Sequence, residues 1–98
     1  MEKITKKDLL NKVAERVDGV KKSQVEEVFN AIFAVIGDEL VAGNKVPVHE
    51  FGTFTLNHRN ARSGINPLTK VAIQIEAKTI PAFKPSSALQ ERVKDVKL

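Results

Sequence analysis

Three observations predict an α+β fold for this 98-residue chain. Apolar residues recur at helical spacing as far as Asn44 and alternate with a period of 2 beyond it. Two alternating runs flank a single Asn66-Pro67 turn signal. The hairpin they imply is longer than the rest of the chain can cover. The expected architecture is two N-terminal helices, a three-stranded antiparallel β-sheet with a long protruding β-hairpin arm, and a short C-terminal helix. One domain spans 1–98, divided into a helical region 1–44, a sheet and arm 45–84, and a C-terminal helix 85–98.

The first helix is capped by Thr5, with Asp8 three residues on completing a capping-box pair. Leu9, Leu10, Val13, Ala14 and Val17 follow at helical spacing, and Asp18-Gly19 closes the segment. The second helix starts between Lys21 and Ser23 and runs to about Ala42, where Gly43-Asn44 supplies a stop. Val25, Val28, Phe29, Ile32, Val35, Ile36 and Leu40 form a broad stripe, while Ala31, Phe33 and Ala34 carry the apolar surface round the wheel. A helix apolar nearly all round is buried on more than one side. Its own sheet could supply the cover. A second copy of the chain does so more simply, since a chain this short has few other elements to offer. An intertwined homodimer is therefore expected, with 1–44 as its helical dimerisation region. Phe29, Ile32, Phe33, Ile36, Phe51 and Phe54 are its expected interface.

After Asn44, Val46 and Val48 alternate in a short strand over Lys45 to His49. Phe51-Gly52 turns the chain into a second run, in which Phe54 and Leu56 face one way and Thr53, Thr55, Asn57 and Arg59 the other. Beyond the Asn-Pro tip, Val71, Ile73 and Ile75 share one face. Ala72, Gln74, Glu76 and Lys78 share the other. Ile80 and Phe83 have opposite parity, which predicts a bulge near Pro81. Pro85 and Ser86 then introduce the last helix, with Leu89 and Val93 on its apolar edge.

With Pro67 at the tip, Arg59 lies eight residues down the arm, roughly 26 Å away at strand rise. The distal half must stand off the body, and an isolated two-stranded ribbon is marginally stable in water. Such an arm fits two partners equally well: another protein chain, or a nucleic-acid groove, which accommodates a two-stranded ribbon. Arg59 and Arg62 have opposite parity, so they share a partner only if the arm bulges or twists between them, for which Gly64 offers the freedom.

Charge points the same way. Residues 1–44 hold seven Lys/Arg against eight Asp/Glu, a net of −1, and residues 45–98 hold nine against four, a net of +5. An excess of cations in the arm half suits a polyanion. The chain has no cysteine, in keeping with a reducing compartment. No secretory signal or run of ~20 apolar residues is present, so a soluble cytoplasmic protein without membrane contact is expected. His49 and His58 are too few for a zinc site, and no nucleophile elbow, phosphate loop or paired-carboxylate cleft occurs. No catalytic residue, metal, cofactor or small-molecule substrate is expected, and the five phenylalanines read as core or interface, not as a base-stacking platform.

The run Phe51 to Thr69, "FGTFTLNHRNARSGINPLT", closely resembles the signature of the HU/integration host factor family of bacterial DNA-binding proteins. The match lies in Phe51-Gly52, Phe54, Arg59, Arg62, Gly64, Asn66-Pro67 and Thr69. "IPAFKPSSAL", Ile80 to Leu89, resembles the family's second motif. The resemblance implies a histone-like, nucleoid-associated homodimer whose arms enter the minor groove of double-stranded DNA, bending and condensing it with little sequence specificity. Apolar wedging of this kind is a known behaviour of the family. By that similarity Pro67 is the intercalating wedge and Asn66 its turn partner. Arg59, Arg62, Thr69, Lys70 and Gln74 would meet the groove, and Lys3, Lys78 and Lys84 the saddle between the arms. Bent, nicked or gapped DNA would be preferred.

Departures from the family pattern are also legible. Glu50 stands where glycine is common before Phe-Gly, and Lys70 where glycine commonly follows the threonine. Ser63, Ile65 and Ser87 replace frequently basic positions, and Ser86 a glycine. Fewer cations imply a shallower salt dependence of DNA binding. Two further readings stay open at this stage: a site-specific bender of the integration host factor type, and a dimeric protein-interaction module.

Overall fold

A computed structural model describes residues 1–98. Helix α1, Lys6–Glu15, begins at the predicted cap. Thr5 Oγ1 accepts the Asp8 amide at 3.2 Å, and the Asp8 carboxylate accepts the Thr5 amide at 3.3 Å. Two amides that the helix cannot bond internally are thereby satisfied. Helix α2, Lys22–Val41, starts with the Gln24 side-chain oxygen accepting the Lys21 amide at 2.9 Å. It stops where Gly43 takes φ 85°, a conformation that lets the last turn close without a side-chain clash.

The remaining elements are β1 (Val46–Val48), β2 (Gly52–Arg59), β3 (Arg62–Ile65), β4 (Ala72–Ile75), β5 (Lys78–Pro85) and α3 (Ser87–Val93). Ser86 Oγ caps α3 by accepting the Leu89 amide at 3.1 Å. Strands β1, β2 and β5 form an antiparallel sheet with β2 central, while β3 and β4 form a separate two-stranded ribbon. Each of the two long predicted strands is thus divided in two.

The division does not alter the register. Arg59 opposes Lys78 at the end of the sheet, and Arg62 opposes Ile75 where pairing resumes, so two residues drop out on each side. Asn60, Ala61, Glu76 and Ala77 lie in this gap. The two alanines bring little side chain to support cross-strand contacts there.

The bulge expected near Pro81 is absent. Pairing between β2 and β5 runs unbroken from Gly52↔Pro85 to Arg59↔Lys78. Strand β5 is an edge, so a proline whose missing N–H would face the open side costs no ladder bond. Ile80 and Phe83 simply face opposite sides of the sheet.

Aromatic packing on the sheet centres on Phe83. The Phe83 ring lies 5.4 Å from that of Phe51 and 5.1 Å from that of Phe54, both tilted. Gly52 sits beneath it: a Cβ there would fall 2.4 Å from Phe83 Cζ and 2.7 Å from the Lys84 carbonyl oxygen. The Phe-Gly pair is therefore a close-packing requirement.

Elsewhere the chain is open. Four of its 98 residues are buried, among them Leu10, Val25 and Thr55. The accessible surface is 8668 Å², against about 5,500 Å² for a compact chain of this mass. The radius of gyration is 19.3 Å, against about 13 Å for a compact domain of this length. On α2, Val28 is 58% exposed and Ile32 52%, and Phe33 and Val35 are exposed beside them. An all-apolar groove between the helices is lined by Val13, Val17, Val25, Phe29 and Ile32 among others. Phe29, Ile36 and Phe54 are half-covered, and Phe51 is exposed.

Candidate nucleic-acid interface

The arm's tip is a six-residue turn built by Asn66. Its amide donates to the Val71 carbonyl at 3.0 Å, and its own carbonyl accepts the Lys70 amide at 2.7 Å. Its side-chain oxygen accepts the amides of Leu68 at 2.9 Å and Thr69 at 3.4 Å, an Asx-type closure in which the side chain mimics a backbone turn. Thr69 Oγ1 in turn accepts the Val71 amide at 3.4 Å. Asn66 and Thr69 thus direct their side-chain oxygens inward and act through the shape of the tip. Pro67, with its fixed φ, and Leu68, 93% exposed, are left outermost. Ile65 and Val71 are exposed just behind them.

Lys70 closes this turn at φ 56°, and Glu50 adopts the same angle in the turn between β1 and β2. They are the only non-glycine residues with positive φ, and both occupy places where the resemblance leads one to expect glycine. The backbone there takes the left-handed geometry that glycine adopts most freely.

Down the arm, the gap in the ladder opens a groove lined by Arg59, Asn60, Arg62, Ile75, Glu76 and Lys78. Arg59 and Arg62 line one groove despite their opposite parity. The pairing is interrupted at Asn60-Ala61, before Gly64 is reached. Gly64 instead lies against Ile75, whose Cδ1 would be 3.0 Å from an added Cβ. Gln74 faces Ser63 across the ribbon, on the side that also carries Ile65 and Ala72.

On the three-stranded sheet, Leu56, Thr79 and Pro81 face α2, sharing a groove with Gly37 and Leu40. Arg59, Lys78 and Lys84 belong to the opposite face by register. A concavity on that face is lined by Lys45, Thr53, Thr55 and Lys84. Lys45 was not singled out from the sequence. Val46 pairs with Phe54, so Lys45 falls opposite Thr55, and only this register brings it to the face of Lys84. Lys3 precedes the α1 cap and is exposed, on a different element from Arg59, Lys78 and Lys84.

The electrostatics are simple. The one lysine–carboxylate ion pair of the chain is Lys94–Glu91 at 2.6 Å, and His49 Nε2 lies 3.5 Å from Glu50 Oε1. Arg59, Arg62, Lys70, Lys78 and Lys84 therefore carry charge with no carboxylate partner, available to an external anion. His58 Nδ1 lies 2.8 Å from the hydroxyl of Thr79, its cross-strand neighbour. No three His, Cys, Asp or Glu side chains gather as a metal site would need. No helix is long and apolar enough to cross a membrane.

Comparison with known proteins agrees with this geometry over nearly the whole chain. The family described as "Bacterial DNA-binding protein" matches residues 4–94. DNA-binding protein HU of Thermus thermophilus is 43% identical over 91 residues, covering 93% of each chain. Integration host factor subunit beta of Shewanella halifaxensis is 36% identical over 90 residues, covering 92% of this chain and 95% of its own. Among solved structures, Anabaena HU in a cocrystal with DNA superposes with a TM-score of 0.80 at 34% identity, covering 94% of this chain and 99% of the other. The chain belongs to the bacterial DNA-binding protein family that contains HU and the integration host factor subunits.

Proposed function

We propose that this protein is a nucleoid-associated, cytoplasmic homodimer that binds double-stranded DNA with little sequence preference, bending and condensing it through its arms. The observation that carries the reading is the arm itself: a ribbon supported by no other element, lined with unpaired cations and ending in solvent-exposed Pro67 and Leu68. A charged ribbon with an apolar end suits a polyanion whose stacked bases accept an apolar wedge. The cocrystal of the similar Anabaena HU with DNA supports it.

In this reading Pro67 is the wedge and Asn66 its scaffold. Arg59, Arg62, Lys70, Gln74 and Lys78 follow the groove, with Thr69 shaping the tip. Lys84, joined by Lys45, and Lys3 from the N-terminus form the saddle. Residues 1–44 are the dimerisation region, where Phe29, Ile32, Phe33 and Ile36 meet the partner, with Phe51 and Phe54 at the sheet. The exposed apolar face of α2 supports this, because a stable chain does not leave so much apolar surface in water.

A salt-titrated gel shift on random linear, nicked and gapped duplex tests the function. Tighter binding to the nicked and gapped forms is expected, because part of the deformation is already made there. Equal binding to all three would remove the bending claim. Sedimentation at micromolar concentration should give a dimer, and a folded monomer would overturn the interface. Pro67→Ala should reduce bending, read by end-to-end energy transfer, more than it reduces affinity.

A further inference from the structure

We propose that Glu76 lowers the positive potential of the cations at the arm's base and weakens their grip on a phosphate backbone, making the arm easier to release. The proposal rests on the DNA-binding reading above. Between Phe51 and Gln90 the chain carries one acidic residue, and it is Glu76. That single carboxylate lies in the groove that gathers Arg59, Arg62 and Lys78.

The register explains why an acid belongs there. Arg59 and Lys78 are directly opposite each other at the last pair of the sheet, and like charges so placed repel. Glu76 lies between the end of β4 at Ile75 and the start of β5 at Lys78, and it lines the groove beside Arg59 and Arg62. Pairing lapses at its position. It is ion-paired with none of them, so it moderates the cations without being locked to any. A duplex phosphate entering the groove meets three cations and one carboxylate. The groove thus offers a net charge of +2 where the cations alone would offer +3. Counterion release then corresponds to one phosphate fewer than the cation count implies.

Glu76→Gln keeps the shape and removes the charge. It should tighten binding to a gapped duplex about threefold at low salt and steepen the dependence of log K on log salt by up to about 0.9 per arm. Dissociation should slow accordingly. Glu76→Asp should retain the wild-type slope. Glu27→Gln, which makes the same change of net charge on α2, should leave both affinity and slope unchanged.

In the free protein, amides flanking the groove should exchange faster in Glu76→Gln than in wild type, as the cations repel. Unchanged slope in Glu76→Gln, with the wild type binding normally, overturns the proposal. So does an equal gain from Glu27→Gln, which would make net charge the cause. Failure of the wild type to bind any duplex overturns the parent reading, and this one with it.

Discussion

The two halves of the hairpin share one register and differ in everything else. From Gly52 to Arg59, β2 pairs throughout with β5, is flanked by β1 over Gly52 to Phe54, and carries the Phe51–Phe83–Phe54 cluster at its start. From Arg62 to Ile65, β3 pairs only with β4, and that ribbon touches no other sheet. Pairing is continuous in number across the gap, so the tip turn and the aromatic cluster agree on which residues face each other. What the arm lacks is a second layer. Backbone pairing specifies geometry, while burial supplies most of the stability. One half is therefore a scaffold and the other a limb.

The largest effect should come from breaking the scaffold. Gly52→Ala drives a methyl into the Phe83 ring and the Lys84 carbonyl, and overpacking of that kind costs about 2 kcal/mol. Denaturant melts at fixed protein concentration should show the loss, while amide exchange in β3 and β4 should stay as it was. Loss of arm protection at native conditions would mean that the two halves unfold as one unit.

Asn66→Ala makes the opposite test. It removes the side-chain acceptor of the Leu68 and Thr69 amides, which is worth about 1 kcal/mol to the tip. Faster exchange of the arm's amides is expected with an unchanged melting midpoint. A shift of that midpoint would show that the tip helps to hold the scaffold.

The smallest effect is the most discriminating. Glu50 and Lys70 both sit at φ 56°, one in each half. Glycine at either place relieves left-handed strain, offset by greater freedom in the unfolded chain, for a net of about 0.5 kcal/mol. Glu50→Gly should raise the melting midpoint slightly. Lys70→Gly should leave it alone, slow exchange at the tip, and weaken DNA binding by one cation per arm. If both variants raise the midpoint equally, the comparison between scaffold and limb fails.

Local signals were legible wherever the cause was local. Thr5 with Asp8, Ser86 before α3, and Gly43 after α2 mark helix ends through the bonds they make to their neighbours in sequence. The tip was legible for the same reason, since Asn66 closes its own turn. The spaced set from Phe51 to Thr69 carried the family. Glu50 and Lys70, standing where the resemblance leads one to expect glycine, are the two non-glycine residues at positive φ.

What failed from sequence depended on which strand lay beside which. Pro81 suggested a bulge because parity alone cannot say that β5 is an edge with its donor side open. Lys45 escaped notice because nothing near it in the chain announces Lys84. Arg59 and Arg62 needed a twist that parity could not locate.

By itself, then, the sequence determined the elements, their order, the apolar tip and the basic bias of residues 45–98, because each arises from neighbours within a few positions. Only the tertiary structure decided that Arg59, Arg62, Lys78 and Glu76 line a common groove, and that the arm stands alone. Those outcomes follow from the register between distant strands and from the gap where pairing lapses, which no short stretch of chain contains.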